Sequence, residues 1–201
     1  MGHAPDKIVS AYVKESPLAD LLTDTLRKAG GLDVTFWNTT GIRANLPAGD
    51  IDYETFFQVF PFNNHLFVLQ PMPQNLLVQQ LQINASNCGA LMQSGLKIVF
   101  QADCSAPKNP HDDNAKLLHV ETTDGNVVLD VAGGIVPDPN KTIKVGTLDF
   151  IADQYFAHIP PVGDVGNARD LVVTELKKIS GDLPNAVDGR WVNNGQTPAP
   201  Q

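Results

Sequence analysis

Apolar residues recur along the chain at spacings that distinguish amphipathic helices from buried strands. Between Ser16-Pro17 and Gly30-Gly31 they lie three and four residues apart, which predicts a helix with one buried face. Proline suits the first helical position, and the hydroxyl of Ser16 can accept a hydrogen bond from a free N–H group at that end. Glycine favours the left-handed backbone that ends helices, so we expect this helix to stop at Gly30-Gly31.

The rest of the pattern predicts further helices and several strands. Asp52 and Asn167 are typical capping residues in front of apolar residues at helical spacing. Asp124-Gly125 is a two-residue hairpin signal between two strand-like segments. Residues 148–152 are predicted to be a loop at the end of a strand, and residues 159–166 a loop rich in proline and glycine. Strands are predicted at 34–37, 66–69, 96–100, 117–121, 126–131 and 142–148, and further helices at 53–60, 73–83 and 167–179.

These elements predict a mixed α+β fold, with about three main helices packed on a mixed β-sheet that has hairpin and crossover connections. A regular alternation of strands and helices is missing, which argues against a doubly wound parallel sheet. A folded domain is expected at residues 16–192. Residues 1–15 are interpreted as an N-terminal segment or the remnant of an interdomain linker, and residues 193–201 as a disordered tail.

The composition is that of a folded, acidic protein. The 201 residues include 14 Lys+Arg and 22 Asp+Glu, which gives a net charge of −8, and 42% of them are hydrophobic. The apolar fraction excludes a disordered chain. Phosphate polymers and anionic membranes attract cationic surfaces, so the acidic balance argues against binding to either. No apolar run approaches the ~20 residues that span a bilayer, and no signal peptide pattern is present.

Catalytic motifs are scarce in this sequence. It contains no G-x-S-x-G nucleophile elbow, no Walker loop and no G-x-G-x-x-G dinucleotide motif. The histidines lack metal-ligand spacing, except for His111-Asp112-Asp113, which fits a solvated loop better than a metal site. Cys88 and Cys104 are either a structural disulfide or two buried thiols, and no histidine stands near them to activate a catalytic thiolate.

Three loops combine aromatic and polar residues. They are 38–43, which follows a strand, 59–64, which follows a short helix, and 148–152. Two phenylalanines on separate loops can offer both faces of a slot to a flat aromatic ligand, because stacking on a base is worth ~1–3 kcal/mol. An asparagine and an arginine beside such a slot would recognise the edge of the ligand and an anion. The alternative is that these phenylalanines belong to the core, where most phenylalanines lie.

The same loops resemble motifs of the C-terminal domain of 5′-nucleotidases. Residues 38–51 are similar to the family signature N-G-G-G-I-R-x-x-[LI]-x-x-G-x-I, and residues 59–64 to its [VL]-x-P-F-[GN]-N turn. Residues 147–152 resemble T-x-[ND]-F-x-A, and residues 184–190 resemble the closing segment that ends in [ED]-G-R. With the opening helix at 16–21 and a turn at 136–142, the resemblance covers roughly residues 15–191 in the family's order.

The resemblance implies a set of ligand contacts. A base would be sandwiched between Phe62 and Phe150, and the polar contacts would come from Asn38 and Arg43. Asp153 is the candidate replacement for the ribose-binding aspartate of the family's G-G-D-G motif. This sequence departs from the family where the glycines of that motif are missing and where Thr39 and Thr40 replace two signature glycines.

The resemblance also implies a function for the chain. It is expected to be the nucleoside- or nucleotide-binding domain of a periplasmic or secreted 5′-nucleotidase-type phosphomonoesterase. Hydrolysis would belong to an N-terminal metallophosphoesterase domain with two divalent metal ions. The D-x-H and G-N-H-[DE] blocks that hold such ions do not occur in this sequence, so the chain alone is predicted to bind and not to hydrolyse, without a cofactor of its own.

Two alternatives are weaker. The departures from the family motifs favour a stand-alone, non-catalytic binding or structural module with a degenerate nucleotide pocket. A self-contained hydrolase that uses His111 or the cysteines is disfavoured, because no catalytic motif surrounds them.

Overall fold

The computed structural model describes residues 1–106 and 109–195, which form two mixed β-sheets, two small antiparallel sheets of two strands each (Gly2–Ala4 with Gly49–Ile51, and Met72–Pro73 with Thr142–Ile143) and five α-helices. The helices are α1 (Pro17–Gly30), α2 (Tyr53–Val59), α3 (Gln74–Ser86), α4 (Asp149–Tyr155) and α5 (Ala168–Leu176). The strands are β1 (Gly2–Ala4), β2 (Val34–Asn38), β3 (Gly49–Ile51), β4 (His65–Leu69), β5 (Met72–Pro73), β6 (Leu91–Ser94), β7 (Leu96–Gln101), β8 (Lys116–Thr122), β9 (Val127–Asp130), β10 (Thr142–Ile143), β11 (Val145–Leu148), β12 (Pro161–Asn167) and β13 (Trp191–Asn193).

The larger sheet has the strand order β12-β4-β11-β2-β6. Its β11 and β2 are parallel, whereas the other neighbours are antiparallel. The second sheet has the order β13-β7-β8-β9, in which β13 runs parallel to β7 and the others form an antiparallel meander. This arrangement confirms the predicted mixed α+β fold with hairpin and crossover connections.

Helix α1 covers the larger sheet with the apolar face that its spacing predicts. Leu18, Leu22 and Leu26 are fully buried, and Gly31 ends the helix in the left-handed conformation, with φ 53°. The predicted cap at Ser16 is wrong, because its hydroxyl makes no capping hydrogen bond. Instead the carbonyl of Val9 accepts the N–H of Leu18, which satisfies one of the free donors at the start of the helix.

The two other predicted caps are confirmed. The Asp52 carboxylate accepts the N–H of Thr55 at 2.7 Å, and the Asn167 side chain accepts the N–H of Asp170 at 3.2 Å. These bonds fix the starts of α2 and α5. Arg169 in the first turn of α5 bonds to Tyr53 in the first turn of α2 and to the Phe62 carbonyl in the aromatic turn at residues 60–64, so the caps matter for the position of that turn.

Two segments that were predicted to be loops have regular structure. Residues 149–155 form α4, which buries Ile151 and Ala152 in the core although the segment is too short to show a helical period. Residues 161–167 form β12, which lies at the edge of the sheet and pairs with β4 through two register shifts. Proline and glycine are compatible with an irregular edge strand, and for this reason the composition alone was misleading.

Both ends of the described part of the chain, near residues 1–8 and at β13, pack on the domain. Strand β1 pairs with β3, and Ile8 exchanges backbone hydrogen bonds with Leu46 at 3.0 and 3.1 Å, so residues expected to be a separate segment contribute to the core. At the other end, Asn193 belongs to β13 and is not part of a tail. Residues 196–201 of the predicted disordered tail lie outside the described residues.

A disulfide joins Cys88 to Cys104. Cys88 follows α3 and is fully buried, and Cys104 follows β7 and is nearly so. Of the two alternatives that the sequence left open, the structure therefore contains the disulfide and not two thiols. The bond ties the end of α3 to the end of a strand of the second sheet.

The closing segment around Arg190 is tied to the start of the domain. Its guanidinium binds Asp24 through both terminal nitrogens, at 2.7 and 3.1 Å, and also binds Asp188. Asp20 lies beside this cluster with only 4% exposure, and neither of its carboxylate oxygens has a hydrogen-bond partner among the described residues. Burial raises the pKa of Asp20 from its usual 3.8 to about 8, against the lowering effect of Arg190.

Candidate functional site

A cavity of about 270 Å³ lies where the loop after β2, the turn between α2 and β4, and the start of α4 meet. We call it the aromatic cavity. Four of the five candidate ligand contacts line it, and both of its outer rings are accessible, since Phe62 is 42% and Phe150 is 53% exposed. The lining residues are Asn38, Thr40, Gly41, Arg43, Phe60, Phe62, Asn64 and Phe150.

Phe60 and Phe62, the two phenylalanines of the aromatic turn, have different environments. The Phe60 ring is fully buried and packs edge-on against Trp37, with ring centroids 4.5 Å apart. Phe62 packs against Phe60 in the same manner, at 5.8 Å and an interplanar angle of 64°. Because Phe60 is buried in the core, it holds one side of the Phe62 ring. The exposed part of the Phe62 ring remains available to a ligand.

The start of α5 holds the backbone of this turn. Arg169 donates through Nη1 to the carbonyl of Phe62 at 3.1 Å and through Nε to the hydroxyl of Tyr53 at 2.9 Å. Its guanidinium also lies over the ring of Phe57, 4.9 Å from the centroid. The N–H of Ala168 donates to the carbonyl of Asn64 at 2.8 Å. The backbone of the turn is therefore fixed by α5, which is itself anchored on α2.

Asp149 connects the turn to the helix that carries Phe150. Its Oδ1 accepts hydrogen bonds from the Asn64 side-chain amide and from the N–H of Phe150, and its Oδ2 accepts one from the N–H of His65. Three N–H donors from three residues therefore converge on one carboxylate. The two ring-bearing segments are thus joined through a single side chain.

The loop after β2 forms the polar edge of the cavity. Asn38 donates through Nδ2 to the Thr40 hydroxyl at 2.9 Å, and Arg43 donates through Nη1 to the Thr40 carbonyl at 3.1 Å. A Cβ at Gly41 would lie 2.8 Å from the Asn38 Oδ1, so any other residue there would displace the Asn38 amide. Thr39, which replaces a signature glycine, bonds to the carbonyl of Ala90 through its N–H at 3.0 Å. The loop therefore keeps close packing without the other glycines.

The structure does not bring Asp153 into the aromatic cavity. This residue lies in α4, three positions after Phe150, and its side chain is exposed and outside the lining. The prediction assumed that the segment around Phe150 is a loop. In a helix, Phe150 and Asp153 are only about 4.5 Å apart along the axis, so Asp153 cannot approach a ligand independently of Phe150.

Several residues of the site escaped prediction. Phe60, Asn64 and Asp149 stand inside the quoted motifs, but their contacts join distant parts of the chain and have no local signal. Arg169 has no signal in the sequence, because an arginine in the first turn of a helix is usually solvated.

The chemical groups that line the aromatic cavity suit the binding of a ligand. They consist of apolar rings, neutral amides, one hydroxyl and the Arg43 guanidinium, and these lining residues include no histidine, cysteine or carboxylate to act as a base. Such a cavity can stack a flat ring, bond to its polar edge and attract an anion at Arg43.

The protein is therefore a small mixed α+β domain, and its aromatic cavity is accessible to solvent. Residues 1–158 match the family model described as "5′-nucleotidase, C-terminal domain". The chain belongs to this family, which confirms the resemblance drawn from the motifs.

Solved structures share the fold at low sequence identity. The 5′-nucleotidase precursor of Thermus thermophilus superposes with a TM-score of 0.72 at 23% identity, over 96% of this chain and 39% of that one. The NAD nucleotidase of Haemophilus influenzae gives 0.65 at 15%, over 96% and 36%. The sulfate thiohydrolase of Thermus thermophilus gives 0.68 at 14%, over 98% and 35%. This chain thus spans less than two fifths of the length of these proteins.

No curated protein matches the sequence. Within residues 1–106 and 109–195, no helix combines the length and the apolar composition that crossing a membrane requires.

Proposed function

We propose that this chain binds a nucleoside or nucleotide, as the substrate-binding domain of a 5′-nucleotidase-type phosphohydrolase. The observation that carries the proposal is the aromatic cavity, in which two exposed phenylalanines from distant segments flank a polar edge of Asn38 and Arg43. Phe62 and Phe150 stack on the base, the Asn38 amide bonds to the ligand, and Arg43 attracts the phosphate. Membership of the family supports this assignment.

Titration of the chain with adenosine and with AMP tests the proposal by calorimetry. Phe62→Ala and Phe150→Ala are each expected to raise the Kd about 5–100-fold, because each removes one stacking face. Ile83→Ala is the matched control, since Ile83 is a similarly exposed apolar side chain, at 50%, and does not line the cavity. No binding by the natural chain, or binding that neither substitution weakens, would refute the proposal.

The rest of the reaction is proposed to belong to another domain. The two divalent metal ions and the hydrolysis are assigned to an N-terminal metallophosphoesterase domain, which these 201 residues do not contain. This chain covers only 39% and 36% of the length of two solved relatives, which supports that division. A periplasmic or secreted location is also proposed, supported by the Cys88–Cys104 disulfide, since disulfides persist in oxidising compartments.

A stand-alone, non-catalytic module is the second candidate. The position of Asp153 outside the cavity favours it, because no aspartate among the lining residues takes the place of the ribose-binding one. The same titration separates the two candidates, since a degenerate pocket would leave adenosine unbound.

A further inference from the structure

Three carboxyl groups converge between the start of α1 and the segment that leads into β13. One oxygen atom each from Glu15, Asp20 and Asp188 lies within 4.8 Å of the other two. We call these three residues the carboxylate cluster. Glu15 accepts three backbone N–H groups, and Asp188 is bonded to two nitrogens of Arg190. A carboxylate has about four lone-pair positions, so both groups can accept a further partner.

Asp20 is the member of the carboxylate cluster that has no hydrogen bond. It is only 4% exposed, and neither of its oxygens has a hydrogen-bond partner among the described residues. The Nε of Arg190 lies 3.6 Å from the Asp20 Oδ1, outside hydrogen-bond distance, and that guanidinium is bonded to Asp24 and Asp188. The Ser16 hydroxyl, one helical turn earlier, is buried and unpaired in the same way. Buried polar groups are normally paired, so a buried, unpaired carboxyl directed at two others points to a ligand.

The chemistry of the carboxylate cluster favours a divalent cation over a water molecule. Ionised carboxylates only accept hydrogen bonds, and one water can donate to two of the three groups but not to all of them. A cation binds all three and offsets their charge. Within the described part of the chain, Arg190 is the only cation that forms an ion pair with these carboxylates, and it shares its charge with Asp24. The negative charge of the ionised cluster therefore exceeds the positive charge beside it.

The spacing of the three oxygens fits calcium. Oxygens within 4.8 Å of one another have a common point that is at most about 2.8 Å from each, close to the calcium–oxygen distance of about 2.3–2.6 Å. Magnesium needs shorter bonds of about 2.0–2.1 Å in a strict octahedron, which three oxygens fixed on separate segments satisfy less well.

We propose that Glu15, Asp20 and Asp188 bind a calcium ion that joins the start of α1 to the segment leading into β13. The role of the ion is structural: it gives the buried Asp20 carboxylate a partner and links residues that are 173 positions apart in the sequence. Nucleoside binding is not required for this inference, because none of the three residues lines the aromatic cavity.

Calorimetric titration of the chelator-treated chain with CaCl₂ at pH 8 tests the proposal. Alkaline pH is chosen because metal ligands must be deprotonated. A Kd of about 10⁻⁴–10⁻³ M is expected, as for other calcium sites outside the cytosol. Urea unfolding is the second measurement, since an ion that binds only the folded chain, at 100 times its Kd, lowers the equilibrium constant of unfolding about 100-fold. NaCl at the same ionic strength is the reference.

Asp20→Asn is the decisive variant, because the amide keeps the volume of the side chain and removes one charged ligand. It should raise the Kd for calcium about 10-fold or more. Glu15→Gln removes a different ligand of the same site and is the second variant, in case the first disturbs the packing. Asp6→Asn is the matched control, since Asp6 is exposed and outside the carboxylate cluster, and it should keep the natural Kd.

Three outcomes would overturn the inference. The first is no calcium binding and no stabilisation at about ten times the upper end of the expected Kd range. The second is an affinity that both Asp20→Asn and Glu15→Gln leave unchanged. The third is equal binding of MgCl₂ and CaCl₂, which would exclude a site with calcium geometry. None of these outcomes bears on the binding of adenosine, so failure of this inference and failure of the proposed function are separate results.

Discussion

The buried carboxyl of Asp20 makes a clear prediction about stability and pH. Its pKa is about 8 in the folded protein, because burial opposes the charge and the neighbouring Glu15 and Asp188 carboxylates add to this effect. In the unfolded chain the pKa returns to its usual 3.8. Between these two values the folded protein binds one proton more than the unfolded chain. Stability is therefore expected to fall as the pH rises from about 4 to about 8.

The size of the effect follows from that single proton. One proton of difference changes the free energy of unfolding by at most about 1.4 kcal/mol for each pH unit. The carboxylates with a lowered pKa, such as Glu175, act in the opposite direction, but only at acidic pH. The interval from pH 5 to pH 8 therefore lies above the range in which these carboxylates act. The amide of an Asp20→Asn variant cannot ionise, so the stability of this variant should be nearly constant there and should exceed that of the natural chain at pH 8.

Urea unfolding at unit steps from pH 5 to pH 9, with the disulfide intact, measures both slopes. Asp6→Asn serves as the control, because Asp6 is exposed and should leave the slope unchanged. A natural chain whose stability is constant or rises between pH 5 and pH 8 would refute the reasoning. A slope that persists in the Asp20→Asn variant would show that another group binds the proton.

Three other perturbations have distinct expected outcomes. Replacing Cys88 and Cys104 together by alanine should lower the free energy of unfolding by about 3 kcal/mol, because the disulfide closes a loop with a sequence separation of 16. A urea titration measures this loss, and equal stability of the variant and the natural chain would contradict the prediction. Arg43→Gln should weaken AMP about 5–10-fold in calorimetry and leave adenosine unchanged, since the proposed contact of the guanidinium is with the phosphate alone; equal losses would place its role elsewhere. Arg169→Ala should raise the Kd for adenosine several-fold, because it removes the hydrogen bond to the Phe62 carbonyl. The free energy of unfolding should change by only about 1 kcal/mol. Unchanged affinity would show that α5 does not position the Phe62 ring.

The sequence was sufficient where local rules decide the structure. Helix α1, its glycine end and the caps at Asp52 and Asn167 depend on neighbouring residues, and the structure has them where the pattern predicts. Ser16 shows the limit of this approach, because a carbonyl from residue 9 takes the donor that a local cap would have satisfied. Helix α4 and strand β12 were missed for a related reason: their stability comes from packing and pairing with distant strands.

The candidate site was predicted through family motifs more than through physical pattern. Composition could suggest a slot between rings, but the pairing of residues 62 and 150 came from the resemblance. The contact of Asn64 with Asp149, which spans 85 residues, could not be read from either segment alone. Asp153 was misplaced because a helix replaced the expected loop.

Glu15 joins the segment before α1 to the segment that leads into β13. Its carboxylate accepts the N–H groups of Asp188, Gly189 and Trp191, so these two segments lie side by side. A mechanical load applied between these two points would act first on this junction and would peel it open before reaching the rings. The covalent bridge from residue 88 to residue 104 would keep the intervening segment from extending further.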